Sequence, residues 1–280
     1  MLQHRRWRKV LKIGPATQPT TGISGSNPET IVIRGHDLVR DLIGRISFTD
    51  HVWLLVCGTL PSDAQRRILD ATLVAIAEHG LVPSVQAARM TFAAAPEALQ
   101  GAVAAGLLGC GSVILGASEA AGRLFSEVVG LHEKSGGTLE TAASDIVGLY
   151  RSQKRAIPGY GHPLHKGSDP RAVRLIALAR ELGVFGRHSQ AALAVERVLP
   201  SVTGKPLVMN ISSAIPSVLL DAGYPLLALR GVPILARTAG LIGHLLEEQT
   251  HPIGFAMSHA AASAITYDGP APAGFVANEN

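Results

Sequence analysis

The stretch from Pro158 to Arg171 (P-G-Y-G-H-P-L-H-K-G-S-D-P-R) most restricts what this chain can become. Pro158, Gly159 and Gly161 force a tight turn that carries a histidine, His162. Asp169 or Ser168 then supplies an N-cap, and Pro170 suits the first helical position. The apolar spacing after Arg171 predicts a helix over Ala172 to Leu182. A helix start and bare glycine backbone attract anions. An arginine grips a carboxylate through two parallel hydrogen bonds, and an imidazole polarises a carbonyl or holds a hydroxyl. Local chemistry alone leaves two readings open: an ordinary loop entering a helix, or a site for a small carboxylate.

The rest of the chain reads as helical. Hydrophobic residues make up 47% and aromatic residues only 4% of 280 positions, with 30 glycines, so the apolar mass suits closely packed helices more than a β-sandwich. Helical spacing covers His36 to Ile43, Phe48 to Cys57, a segment from Ser62 to about Gly80, Pro83 to Ala95, Ala98 to Cys110 and Ile114 to Val129. It resumes over Thr138 to Tyr150, Gln190 to Val198, Leu207 to Asp221, Gly231 to Glu248 and Ser258 to Ala264. Ile31 to Gly35 reads as a short extended piece ending in a turn. The fold class is all-α.

Composition narrows the function classes. A net charge of +4 arises largely from Arg5, Arg6, Arg8, Lys9 and Lys12, and no nucleic-acid-reading motif follows, so nucleic acid is not an expected partner. Ala98 to Ser118 carries no charge, yet its glycines and Gln100 keep it weakly hydrophobic, which fits a packed interface better than a membrane span. Such apolar Ala/Gly helices make a homodimer the default. Cys57 and Cys110 lack metal-ligand spacing and read as free thiols of a reduced cytoplasm, without a readable secretory signal. His132, His188 and His259 show no metal pattern, and no metal is expected.

Three strings carry a resemblance. G-Y-G-H followed by D-P-R, Asn210-Ile211-Ser212-Ser213-Ala214-Ile215, and Arg237-Thr238-Ala239-Gly240-Leu241-Ile242-Gly243-His244 with Glu247-Glu248 occur in the order of the citrate synthase superfamily. Ile33-Arg34-Gly35-His36-Asp37-Leu38 resembles that superfamily's early Y-R-G turn. Within it the chain is most similar to short citryl-CoA lyases and the carboxy-terminal domain of ATP-citrate lyase, from about Ile31 to Gly269. The resemblance implies a large dimerising domain over 29–119 and 214–270, a small domain over 120–213 closing over the site, a basic arm over 1–28 and a tail over 271–280. It implies a coenzyme A thioester as substrate, lined by Ile157, Pro158, Gly159, Tyr160 and Gly161, with Lys166 on a CoA phosphate. His162, Arg171 and Arg237 would hold the carboxylated hydroxy acid, and His251, before Pro252, falls where the partner subunit's arginine would stand.

The catalytic positions depart from the pattern. Ser212 stands where the superfamily carries its acid/base aspartate, Ile114 where synthases carry a histidine, and Ala87 where an upstream histidine would follow Ser84. A hydroxyl is neither charged nor basic near neutral pH, whereas a placed carboxyl contributes about two to four powers of ten in rate. Asp221, Glu119, Asp37 and His165 are the candidate substitutes. Others read more simply: His244 as a core histidine, Lys154 and Arg155 as helix-end charges, Cys110 as packing. The leading reading is a citryl-CoA lyase-like enzyme. The alternatives are a catalytically impaired protein that binds a CoA thioester or dicarboxylate, and a related enzyme with a changed acyl substrate.

Overall fold

Polar capping side chains mark where several of the helices begin. In a computed structural model, which describes residues 20–111, 115–161 and 167–275, Ser47 opens α1 (Phe48–Cys57) and Ser62 opens α2 (Asp63–Ala77), each through a capping box with Asp50 or Gln65. Pro83 starts α3 (Pro83–Ala94). α4 (Leu99–Leu108), α5 (Gly116–Ser135) and α6 (Leu139–Ser152), capped by Thr138, follow. Asp169 caps α7 (Pro170–Glu181), and α8 (Arg187–Thr203) comes next. Asn210 caps α9 (Ile211–Asp221), followed by α10 (Gly231–Thr250) and α11 (Gly254–Ser263). The fold is all-α apart from one small sheet.

The chain divides into two compact units, residues 1–60 and 61–280. The first holds an antiparallel meander of β1 (Ser24–Ser26), β2 (Ile31–Ile33) and β3 (His36–Asp37). Ser24–Ser26, inside the stretch expected as an arm, thus pairs with Ile31–Ile33. Arg34 and Gly35 both take positive φ, 51° and 87°, which makes the two-residue hairpin loop. Arg34 tolerates this because its guanidinium donates twice to the Leu55 carbonyl, at 3.1 and 2.7 Å. The helix expected over His36 to Ile43 is replaced by β3 and a single π-turn, Leu38–Leu42. Asp37 pairs with Val32 and caps Val39 and Arg40, which leaves no room for a longer helix.

In the second unit, α3, α4 and α10 enclose a core of Val85, Ala88, Phe92, Ala102, Leu241 and Leu245. Gly106 lets α4 close on it, since a β-carbon there would lie 2.7 Å from Leu241 and 2.9 Å from the Ser84 carbonyl. Within the charge-free stretch Ala98 to Ser118, Leu99–Leu108 form a short helix and Gly116 already opens α5. Among the described residues one stretch, Leu226–Thr250, is long and apolar enough to cross a membrane. It also carries Arg237 and the buried Glu248, and Leu241 and Leu245 pack in the core. α9 is buried on nearly every side, packing against α5, α7 and α8.

Asp221, at the end of α9, anchors α8. Its carboxylate accepts from the amides of Gly186 at 2.8 Å, His188 at 2.8 Å and Ser189 at 2.9 Å, and lies 3.0 Å from the His188 ring. Burial alone would raise its pKa, but the His188 and Ser189 hydrogen bonds outweigh it and hold the carboxyl below its ordinary value. Asp221→Ala strands three amides and is expected to cost about 2–3 kcal/mol in urea unfolding. Because the folded pKa is depressed, this stabilisation is complete above the unfolded value of about 3.9 and is lost as pH falls through the folded one. Wild-type stability should therefore fall more steeply below about pH 4 than that of Asp221→Asn, as read by acid titration of the unfolding free energy.

Candidate active site

Two glycines and one asparagine fasten the signature loop to the start of α9. Gly159 has φ +85°, and a β-carbon there would lie 2.0 Å from the Ser213 hydroxyl and 3.0 Å from its amide, so any other residue meets both strain and collision. The Gly161 amide donates to the Val208 carbonyl at 2.7 Å, and the Asn210 amide donates to the Gly159 carbonyl at 3.0 Å. The Asn210 side chain donates to the Gly161 carbonyl at 2.7 Å and accepts from the Ser212 amide at 2.9 Å. Tyr160 bridges to Met209, which explains why residues 207–210, expected as helix, are extended up to the Asn210 cap.

The Tyr160 ring turns inward. Its hydroxyl donates to the Ala192 carbonyl at 2.7 Å, its ring meets Phe125 edge-on at 6.4 Å, and burial pushes its phenol well above the ordinary range. Ile157 and Pro158 are half-buried beside it. His162, His165 and Lys166, and likewise Ile114, lie outside the described residues.

Asp169 does two jobs. It caps α7, and it is 1% exposed. One oxygen accepts from the Arg171 amide at 3.0 Å and from Arg171 Nε at 3.1 Å. The other accepts from Arg171 Nη2 at 2.9 Å and from the Ile211 amide, the first of α9, at 3.0 Å. Burial would raise this carboxyl, but the Arg171 and Ile211 hydrogen bonds prevail and hold it below its ordinary value. Arg171 is thereby set beside the turn that bears Ser212.

Arg237 lies on α10, within range of the charges of Arg171 and Glu78. Burial lowers its pKa, the charges of Cys110 and Glu78 counter that in part, and the positive charge of Arg171 adds to the lowering. Its Nη1 is buried without a partner among the described residues. The structure thus brings two guanidinium groups into electrostatic range of each other, one paired with Asp169 through Nε and Nη2 and one whose buried Nη1 has no partner among the described residues.

The other candidates are placed elsewhere. Asp221 caps α8; Glu119 lies 2.7 Å from Arg123 and 2.8 Å from Arg230, which hold its carboxyl low; Asp37 is bound by Arg40. His244 lies 2.8 Å from Glu78, so it is an engaged histidine of the α10 surface. The His251 side chain is exposed and sits 3.0 Å from Thr250, while its carbonyl accepts from Arg89 at 2.9 Å; no described contact joins it to Arg171 or Arg237. Arg155 stacks on Tyr150 at 3.7 Å. Ala87 is half-buried on α3. Among the described residues no cluster of His, Cys, Asp and Glu is grouped to hold a metal. Sequence reasoning took Asp169 only as a cap and missed Asn210 as a tie and Glu78 altogether.

Comparison with known proteins identifies the family and agrees with the fold. Residues 61–254 match the family described as citrate synthase, C-terminal domain. The chain is 28% identical over 201 residues to the glyoxysomal citrate synthase of Cucurbita maxima, covering 69% of this chain and 37% of that one. It is 28% identical over 216 residues to the citrate/2-methylcitrate synthase of Bacillus subtilis, covering 74% and 54%. This chain thus spans about half or less of the curated relatives it matches. Citryl-CoA lyase from Hydrogenobacter thermophilus superposes with a TM-score of 0.81 at 34% identity, over 92% of this chain and 97% of that one. ATP citrate lyase from Methanothrix soehngenii, solved with citrate and coenzyme A, shares the fold with a TM-score of 0.73 at 23% identity, over 96% of this chain and 44% of that one. With the family match covering the helices that carry Arg171, Ser212 and Arg237, this chain belongs to the citrate synthase family of enzymes.

Proposed function

We propose that this protein is a citryl-CoA lyase-like enzyme that cleaves, or in reverse forms, a carbon–carbon bond in a CoA thioester of a carboxylated hydroxy acid, such as citryl-CoA. The observation that carries this reading is the pair Arg171 and Arg237, two cations near enough for the charge of one to act on the other, with the buried Nη1 of Arg237 unpartnered among the described residues. Such a pair suits a ligand with more than one carboxylate. The similarity to a citryl-CoA lyase over nearly all of its length supports the choice of thioester.

The chemistry balances without an outside reagent. The hydroxyl proton leaves as the C–O bond becomes a carbonyl; the central C–C bond breaks and its electron pair passes into the thioester enolate. A proton then adds to that carbon, giving acetyl-CoA and oxaloacetate. In this reading His162 polarises the hydroxyl, Arg171 and Arg237 hold carboxylates, and His251 reaches the site of a second subunit. The turn at 157–161 and Lys166 receive the CoA. The small domain at 120–213 closes on the larger one. Outward-facing Leu108, Ile242, Leu246 and Phe255 support a homodimer, Leu108 being 85% and Leu246 65% exposed. The protein is read as cytoplasmic, without nucleic acid, membrane or metal.

Purified protein given citryl-CoA should release acetyl-CoA and oxaloacetate in equal amounts. Arg171→Gln and Arg237→Gln should each lower kcat/KM by about 100-fold or more, since each removes charge-assisted hydrogen bonds worth about 1.5–3 kcal/mol apiece. Absence of products at high enzyme concentration, with CoA binding intact, would sink the lyase claim.

A second reading, a binding protein without turnover, is favoured by one observation: Ser212 offers only a hydroxyl, while Asp221, Glu119 and Asp37 are bound elsewhere. It predicts about 2.7 kcal/mol of thermal stabilisation by a CoA thioester at 100 times its Kd, with no products. Ser212→Asp separates the two. A carboxylate in the first turn of α9 is favoured by the helix dipole, and a gain of tenfold or more in turnover shows that only the acid/base was missing. No gain in a variant that still binds ligand tells against a missing acid/base group.

A further inference from the structure

Arg237, Gly240 and His244 follow one another along a single stripe of α10. That stripe crosses the C-terminal end of α2 at contact distance. A β-carbon on Gly240 would lie 2.1 Å from the Ala77 carbonyl oxygen and 3.2 Å from Oε2 of Glu78. The Glu78 carboxylate therefore sits over Gly240, one turn from Arg237 and one turn from His244. Its side chain is 48% exposed, so without restraint it would sample several rotamers.

His244 supplies the restraint. Its Nε2 lies 2.8 Å from Glu78 Oε2, and the Gly80 amide donates to the other oxygen. On the far side of the ring, Nδ1 faces Nη1 of Arg89 at 3.4 Å. A guanidinium nitrogen can only donate, so Nδ1 accepts and the Nε2 proton points at Glu78. Arg89 is itself fixed: 2% exposed, it donates to Glu248 at 2.6 Å, to Glu247 at 2.6 Å and to the His251 carbonyl at 2.9 Å.

The restraint matters because Glu78 is the carboxylate whose charge reaches Arg237, and Arg237 Nη1 is buried without a partner among the described residues. An untethered Glu78 can satisfy that donor with a charge-assisted hydrogen bond. We propose that His244 is a positioning residue that holds Glu78 over Gly240 and so keeps Arg237 open for a ligand carboxylate. This rests on the reading of Arg237 as a carboxylate clamp and names what stops the clamp from being filled from within.

The test uses two readouts on the whole chain: modification of Arg237 by phenylglyoxal, mapped by mass spectrometry in ligand-free protein, and oxaloacetate affinity by calorimetry. His244→Leu should slow Arg237 modification and weaken oxaloacetate binding, each by about tenfold, the size of one charge-assisted hydrogen bond. Adding Glu78→Gln to the same chain should return both to within about twofold of wild type, a rescue that a merely structural role for His244 does not produce. Where the leucine variant does not fold, His244→Asn, whose amide is shorter than the imidazole, takes its place. Unchanged Arg237 reactivity in a folded His244 variant, or a loss that Glu78→Gln leaves in place, overturns the proposal. The reagent needs no substrate, so a chain that binds no carboxylate disproves the proposed function while the tether is still judged by Arg237 reactivity.

Discussion

One buried carboxylate, Asp169, holds the candidate site together. A charge taken out of water is costly unless every lone pair finds a donor, and Asp169 finds four: the amide and two guanidinium nitrogens of Arg171, and the Ile211 amide. These come from the starts of two helices, Ile211 lying 42 residues from Asp169 along the chain. The same bonds that compensate the buried charge therefore fix the direction of Arg171 and its distance from Ser212. Asn210 repeats the arrangement one residue earlier, tying the glycine turn to α9 through both main chain and side chain. The turn at 159–161 and the cap of α7 are thereby both hydrogen-bonded to the start of α9.

Two arginines show how charge is distributed around these ties. Burial would lower Arg89, but Glu248 and Glu247 outweigh it and its pKa is raised. Arg237 moves the other way, because burial and the field of Arg171 exceed the help from Cys110 and Glu78. An arginine with two acidic partners is part of the frame, whereas Arg237 carries a charge that its surroundings under-compensate. The frame arginine and the open one sit on helices that share a core, joined through His244 and Glu78. A substrate carboxylate arriving at Arg237 would complete a balance that the protein leaves unfinished.

The sequence revealed what depends on near neighbours. Ser62 announces α2, and Asp169 with Pro170 announces α7, because a cap acts within one turn. The region over His36 to Ile43 misled, since its apolar spacing is helical while the pairing of Asp37 with Val32 lies in another strand. Residues 207–210 misled for the same reason: their bonds go to the loop at 159–161, not along their own segment. At the site, the order of the motifs is what names Arg171, Arg237 and Ser212 as candidates. Glu78 was invisible because its partner is 166 residues away and nothing in its own surroundings marks it. Long-range pairing, not composition, separates the legible part from the rest.

Ser212 sets the chemical question that this frame must answer. Breaking the C–C bond of a hydroxyacyl thioester sends a proton from oxygen to carbon, and microscopic reversibility gives the forward and reverse directions the same proton path. Reading the protein as a lyase in place of a synthase therefore does not remove the need for an acid. The carboxyls nearest in kind, Asp221, Glu119 and Asp37, are each bound to a basic partner and depressed, so near neutral pH they have no proton to give. A hydroxyl at the start of α9 can hand on a proton only as it takes up another, which makes it a relay and never a source. Under the proposed reading, carboxylate binding and proton transfer are separable: the first rests on Arg171, which Asp169 orients, and on Arg237, which the tie between Glu78 and His244 leaves unfilled, and the second on whatever proton donor Ser212 can pass along.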